Sequence, residues 1–409
     1  MMTRTIEELI KKNGTPFYIF DEEGFVNNYL KLEGTFRKVY PNYKISYSYK
    51  TNYTPFVCNL VKELGGYAEV VSDMEYTLAK KLGYANNQIV YNGPSKGEDM
   101  YEHLEEHGIL NLDSLEEARR VENYCKAHPN KRFAVGLRIN MDLDAANFIS
   151  RFGLEPDSRD MLEVVRLIGE TANLKLVGLH CHISRCRGVD AWAERAKIML
   201  NMADKYIEGV PQYISLGSGM FADMPDYLKN QFCGGDVPTY EDYCDAAIKP
   251  FAEHYKNLDK QPILFTEPGT TVIARYLSFV SRVLSIKQIR GRRIANMDGD
   301  YHNLGEICTM KKLPTHVIAG GKEQNYYDDI DIMGFTCLEQ DVLVPHWEGK
   351  LAEDDVIVFD NCGGYSIVSK PQFIKPQSAM FAKRTDGSIM QIMRAETFDD
   401  VFNKFSFEF

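Results

Sequence analysis

The chain has no apolar run long enough to cross a bilayer, no Cys-x-x-Cys pair, and no surplus of basic residues. The first absence excludes a helical membrane span, which needs about 20 consecutive apolar residues. The second argues against a disulfide framework, and nine scattered cysteines fit a reduced cytoplasm. The third weighs against nucleic acid or an anionic membrane as partner, since 47 Lys+Arg against 58 Asp+Glu gives a formal net charge of −11. Short-period repeats and low-complexity tracts are also missing. The first residues, Met-Met-Thr-Arg-Thr-Ile-Glu-Glu-Leu-Ile-Lys-Lys, are charged and helical in period, without an apolar signal core or cleavage site. What remains is ordinary globular composition, 44% hydrophobic and 26% charged, over 409 residues. That length predicts two domains.

From Lys44 to about Gly269, short apolar segments alternate with amphipathic helical ones. The strand candidates are Ile45–Tyr49, Tyr67–Val71, Gln88–Tyr91, Ile109–Leu112, Phe133–Ile139, Lys175–His182, Tyr213–Leu216 and Ile263–Thr266. Ser72 with Glu75, and Ser114 with Glu117, are Ser-x-x-Glu pairs that predict helix starts after the second and fourth strands. Eight strands alternating with helices predict an α/β fold of the (β/α)8 type over residues 35–275. A doubly wound open sheet is the rival, but its glycine-rich first turn is missing, and Lys50 stands there instead. Beyond Arg275 the chain reads as β: Tyr276–Gln288, Arg293–Met297, Thr315–Ala319, Val356–Phe359 and Ile389–Arg394, the last preceded by an Asp386-Gly387 hairpin signal. Residues 276–409, with 1–34 and its strand Pro16–Phe20, are expected to form a separate β-rich domain.

Chemistry concentrates at the predicted strand ends. Ile45-Ser-Tyr-Ser-Tyr-Lys50-Thr-Asn52 carries an amine to a strand tip, where a lysine is either solvated or able to form a Schiff base with a carbonyl cofactor. Glu267-Pro-Gly269 follows a buried strand, so Glu267 either caps the next helix or faces a ligand cation. Leu216-Gly-Ser-Gly219 is a turn or a phosphate-binding loop after the seventh strand. Alternation sends His180 and His182 to one face, as a core histidine or an imidazole stacked on a planar group. No further ligands at zinc spacing accompany them, so no metal site is expected. Cys337 reads as one structural cysteine among nine, and Tyr365, after Asn361-Cys-Gly-Gly, as a surface tyrosine or a hydroxyl offered to a ligand.

In order along the chain, these segments resemble the fold-type III pyridoxal-phosphate decarboxylases, the group holding diaminopimelate decarboxylase and the eukaryotic ornithine decarboxylases. Gly14-Thr-Pro-Phe-Tyr-Ile-Phe-Asp21, Tyr49-Lys-Thr-Asn52, Glu69-Val-Val-Ser72, Ser150-Arg-Phe-Gly153 and Gly178-Leu-His-Cys-His-Ile183 carry the likeness, with the Gly217, Glu267, Cys337 and Tyr365 motifs. The resemblance implies an alanine racemase-like barrel plus a C-terminal β domain, pyridoxal 5'-phosphate as cofactor, and a homodimer with shared active sites. It implies that Lys50 holds the cofactor, that Glu267 pairs with the pyridine nitrogen and that His182 stacks on the ring. Glu69, Arg138 and Gly269 would line the cofactor site, while Gly217, Ser218, Gly219 and Tyr365 would hold the phosphate. Cys337 would reach in from the second subunit.

Departures from the family pattern bear on substrate. Thr270 stands where the family has arginine after Glu-Pro-Gly, and Ser184-Arg185 replaces Gly-Ser after His-Ile. Arg185 is therefore expected either to supply a cation near the phosphate or substrate or to point into an interface or solvent. The stretch Asp298–Thr309 contains no arginine where diaminopimelate decarboxylases carry one. Cys337-Leu-Glu-Gln-Asp341 leaves Glu339 and Asp341 as candidate contacts for a substrate amine. The expected reaction is decarboxylation of an amino acid other than meso-diaminopimelate, such as another diamino acid or a carboxylated polyamine. A racemase of the same fold and a catalytically inert homologue are the alternatives. Glu267 speaks against the racemase, which sets a cation against the ring nitrogen.

Overall fold

The computed structural model describes residues 2–232 and 235–408. The chain divides into two compact units, Tyr29–Phe221 with Pro238–Thr271, and Met1–Asn28 with Ala222–Val237 and Val272–Phe409. The expected boundaries at 35 and 275 thus shift, and an inserted segment changes sides. Tyr29 belongs with the first unit because its hydroxyl packs where a Cβ on Gly66 would sit. In the inserted segment, the Gln231 side chain donates to the Lys312 carbonyl and accepts from the Lys312 N–H.

In chain order, β1 (Phe17–Asp21) precedes β2 (Tyr43–Ser48), β3 (Tyr67–Val70), β4 (Ile89–Tyr91), β5 (Ile109–Leu112), β6 (Phe133–Ile139), β7 (Leu174–Cys181), β8 (Tyr213–Ser215) and β9 (Ile263–Thr266). Strands β2 to β9 form a closed parallel barrel. The seam closes where Tyr43 pairs with Leu264 and Ile45 with Thr266. All eight predicted barrel strands are present, because each is a short buried apolar run that parallel pairing needs on both faces. The predicted helix starts also hold. The Ser72 and Ser114 hydroxyls accept from the Glu75 and Glu117 N–H groups at 3.3 and 3.2 Å. In return the two glutamates accept from the Val71 and Asp113 N–H groups at 2.8 and 2.7 Å.

The second unit is a mixed sheet. Its further strands are β10 (Leu277–Ile289), β11 (Arg292–Met297), β12 (Thr315–Ile318), β13 (Asn325–Met333), β14 (Val342–Leu351), β15 (Val356–Phe359), β16 (Ala379–Lys383) and β17 (Ile389–Met393). The order is β14-β13-β11-β10-β1-β16-β17, with β15 pairing β10 and β12. β1 lies between β10 and β16, antiparallel to the first and parallel to the second, which ties the N-terminus into this sheet. The Asp386-Gly387 turn joins β16 to β17, with Gly387 at a φ of 83°.

Strands β13, β14 and β16 were not anticipated from sequence. β13 is rich in aspartate, and β14 contains Pro345, which a central strand excludes but an edge strand tolerates.

Candidate active site

Barrel strands deliver polar groups near their C-terminal ends, and here those groups form one connected network. Lys50 sits on the 3-10 turn Tyr49–Thr51 that follows β2. Its Nζ donates to Glu69 Oε2 at 2.6 Å, and the Ser48 hydroxyl donates to the same oxygen at 2.6 Å. Asn92, the residue after β4, uses one amide nitrogen twice, donating to Glu69 Oε1 and to Glu267 Oε1, each at 3.1 Å. Asn111 holds that amide in place by donating to Asn92 Oδ1 at 2.8 Å, and the Tyr213 hydroxyl donates to Asn111 Oδ1 at 2.7 Å. On the far side, the Ser215 hydroxyl donates to Glu267 Oε1 at 2.7 Å, and His180 Nε2 lies 3.0 Å from Glu267 Oε2. The amine and the buried acid are thus joined through Glu69 and Asn92.

An ionised carboxylate offers about four acceptor positions on its two oxygens. Ser215 and Asn92 occupy Oε1 of Glu267 and His180 one side of Oε2, which leaves one position for an incoming N–H. Burial would raise the Glu267 carboxyl, but His180, Lys50 and the Ser215 hydroxyl outweigh it and hold the pKa below the usual range. Burial, with the cations Lys50, Arg138 and Arg195 around it, pushes the His182 imidazole well below its usual pKa. His182 Nδ1 accepts the Ser218 N–H at 3.2 Å. That fixes the neutral tautomer with the proton on Nε2. The ring borders a cavity of about 260 Å³ whose other walls include Phe148, Ile149, Arg151, Phe152 and Ser184. Arg138 in β6 is buried, pairs with Asp113 at 3.5 Å and lies 4.6 Å from the centre of the Phe152 ring.

The loop after β8 needs its glycines. Gly217 has a φ of 61°, and a Cβ there would lie 2.2 Å from the Cys181 carbonyl oxygen. Two of the three N–H groups expected to hold a phosphate already have partners in the protein. Gly217 N–H donates to the Ser215 hydroxyl at 3.2 Å, and Ser218 N–H serves His182. Gly269 lies where a Cβ would meet Thr51 Oγ1 at 2.0 Å, so its lack of a side chain lets Thr51 pack against the turn beside Lys50.

Other expected residues fall elsewhere. Arg185 is exposed, at a φ of 67°. The guanidinium that reaches the glycine loop is Arg195, from the helix Val189–Tyr206. Cys337, Glu339, Asp341 and Tyr365 all belong to the β-rich unit. Cys337 and Glu339 are exposed, and Tyr365 is half-buried at a φ of 60°. Asp341 is corrected as a substrate contact. It is 1% exposed and accepts from the Tyr301 N–H, the Thr336 N–H and the Thr336 hydroxyl at 2.9, 2.9 and 2.6 Å. Oδ2 is spent shaping the turn that carries Cys337, and Oδ1 is spent on the Tyr301 N–H. Sequence reasoning missed Asn92, Asn111, Ser215 and Arg195. The first three could have been found by inspecting the last residues of every barrel strand and those just beyond.

One acid beside this network titrates near neutrality. Glu75 is 4% exposed, and burial together with the neighbouring Glu69 raises its pKa from 4.5 to about 7. The folded state then keeps a proton that the unfolded chain releases, so stability falls as pH rises from the ordinary carboxyl range to about 7. The loss is on the order of 3 kcal/mol. Glu75→Gln, which still offers an oxygen to the Val71 N–H, is expected to flatten that slope in urea unfolding at about pH 5 and about pH 8. An unchanged slope would place the pH dependence elsewhere.

A barrel with an amine at one strand tip, a buried carboxylate across the floor and a glycine loop after the next-to-last strand defines a pyridoxal-binding enzyme. A sequence profile described as the pyridoxal binding domain of pyridoxal-dependent decarboxylases matches residues 30–274, and the chain belongs to that family. Among curated relatives, diaminopimelate decarboxylase of Methanocaldococcus jannaschii is 25% identical, over 97% of this chain and 92% of the relative. The L-glutamyl-[BtrI acyl-carrier protein] decarboxylase of Niallia circulans is 24% identical, over 97% and 95%. Among solved structures, a diaminopimelate decarboxylase from M. jannaschii superposes with a TM-score of 0.83 at 24% identity, covering 97% of this chain and 93% of that one. The arginine decarboxylase of Paramecium bursaria Chlorella virus gives 0.74 at 18% identity, covering 91% and 97%. The protein is accordingly a pyridoxal-phosphate-dependent amino-acid decarboxylase. Among the described residues, no helix is long and apolar enough to cross a membrane.

Proposed function

We propose that this decarboxylase acts on an amino acid whose far end is an amine or polyamine chain, and not on meso-diaminopimelate. The observation that carries this reading is the loss of cations for a second carboxylate. Thr270 replaces one arginine, and Asp298–Thr309 has none. A buried anion without bidentate partners is costly. Phe148, Ile149 and Phe152 give the cavity beside His182 an apolar side that suits a methylene chain, with Arg151 as its one charged wall.

When bound, pyridoxal phosphate supplies a ring that takes up the electron pair released with CO2. Glu267, ionised and with one acceptor position remaining, would keep a proton on the ring nitrogen. His182, neutral and tethered by Ser218, would border the ring without opposing its positive charge. Glu69, itself held by the Ser48 hydroxyl, positions the Lys50 amine, which would hold the cofactor and would be placed to return a proton to the substrate carbon. Arg138, braced by Asp113, would line the site.

The test is CO2 release across diamino acids, carboxylated polyamines and meso-diaminopimelate. At least about a hundredfold lower kcat/KM is expected for meso-diaminopimelate than for the best diamino acid, the scale of one lost charged contact. Comparable values would refute the assignment.

Cys337 and Glu339, exposed on the turn that Asp341 holds, fit a role toward the site of a second copy. Lys50→Ala and Cys337→Ala are each expected to be nearly inactive alone. Mixed and allowed to exchange subunits, they should regain about a quarter of wild-type activity, since half the dimers would be mixed and each would hold one intact site. No recovery would mean that each chain completes its own site.

A further inference from the structure

We propose that Arg195 is the positioning residue of the anion site on the 217–219 loop, holding the loop by its carbonyls and supplying the charge that a phosphate meets there. The inference rests on the cofactor reading above and extends it to a residue outside every motif.

Arg195 is 0% exposed. Its Nη1 donates to the Leu216 and Ser218 carbonyls, both at 2.9 Å, and Nη2 to the Cys186 carbonyl at 3.5 Å. The guanidinium carbon lies 4.5 Å from the centre of the Trp192 ring. Buried Lys96 and Arg138 each have a carboxylate, Glu117 and Asp113. Among the described residues Arg195 has none, and its buried Nε has no acceptor. A buried cation without a counter-charge is expensive by several kcal/mol, so its retention calls for an anion nearby. The geometry gives the place. Nη2 comes within 3.9 Å of where a Cβ on Gly219 would sit, a point that the Ile183 and Cys186 carbonyls also border at 3.4 and 3.9 Å, so Arg195 is the cation nearest the loop there.

The same contacts set the direction of the loop. Arg195 pulls the Leu216 and Ser218 carbonyls toward the helix. His182 receives the Ser218 N–H, so the loop's grip on the imidazole also depends on Arg195.

The experiment compares the affinity of the apoenzyme for pyridoxal phosphate and for pyridoxal, which lacks the phosphate, in wild type, Arg195→Lys and Arg195→Met. Arg195→Met is expected to weaken pyridoxal phosphate binding by about 10- to 100-fold, the range of a hydrogen bond to a charged group. Pyridoxal affinity should change little, so the ratio of the two collapses. Arg195→Lys should recover part of that ratio. A merely structural role would lower both affinities together and leave the ratio intact, which would overturn the proposal. Should Arg195→Met fail to fold, two measurements remain: the ratio in Arg195→Lys, and competition by inorganic phosphate against pyridoxal phosphate on wild type. An unchanged ratio or absent competition would overturn it equally. Wild-type apoenzyme that bound no pyridoxal phosphate at all would instead refute the cofactor reading itself.

Discussion

Lys50→Ala is expected to lower turnover by on the order of 10⁴-fold or more, because the variant loses the group that attaches the cofactor and returns a proton. The buried lysine on the same side of the barrel is not free to substitute. Lys96, the other lysine held deep in the barrel, is bound to both oxygens of Glu117 and to the Gly93 carbonyl at 2.8–2.9 Å, and is 3% exposed. Lys50→Arg should be equally inactive, since a guanidinium keeps the charge beside Glu69 but is no nucleophile at neutral pH. Borohydride reduction of the wild-type holoenzyme followed by peptide mass spectrometry should place the pyridoxyl group on Lys50. Label on another lysine, or an alanine variant within tenfold of wild type, would sink the assignment.

Glu267→Gln should cost turnover about two to three orders of magnitude while leaving the barrel folded. Glutamine keeps the shape and still accepts from Ser215, but it carries no charge to hold a proton on the ring nitrogen. The effect should fall on kcat more than on KM, because that charge matters most when electrons flow into the ring. Its pH behaviour is opposite to that of Glu75. A depressed carboxyl adds stability above the ordinary carboxyl range and loses it as pH falls through the folded-state value. Glu267→Gln should therefore reduce stability near neutrality more than in acid, whereas Glu75→Gln should add stability only above the acid range. A glutamine variant within a few-fold of wild-type kcat would show that the ring nitrogen needs no partner.

Much of this site was legible because barrels show their chemistry at strand ends, and eight buried runs located those ends. Lys50, His182, Gly217 and Glu267 stood out as charged, aromatic or conformationally special residues closing apolar segments. Asn92 did not, because Tyr-Asn-Gly-Pro reads as a turn and a neutral amide carries no signal until both carboxylates are placed around it. Arg195 was hidden for another reason. It lies mid-helix among Glu194, Lys197 and other charged residues, and only the packing tells a buried guanidinium from a solvated one. Arg185 posed the same difficulty, since sequence supplied the charge but not the side it faces, and the side chain is exposed. Asp341 looked like a ligand for being an acid near Cys337, yet its turn consumes it.

The shared amide of Asn92 has a consequence for anyone reshaping this enzyme. Tyr213, Asn111, Asn92, the two glutamates and Lys50 behave as one circuit, so single replacements should each look ruinous and their penalties should not sum. Repurposing the pocket would demand exchanging whole sets of partners at once, while the cavity wall beside His182, outside that circuit, can be varied one position at a time.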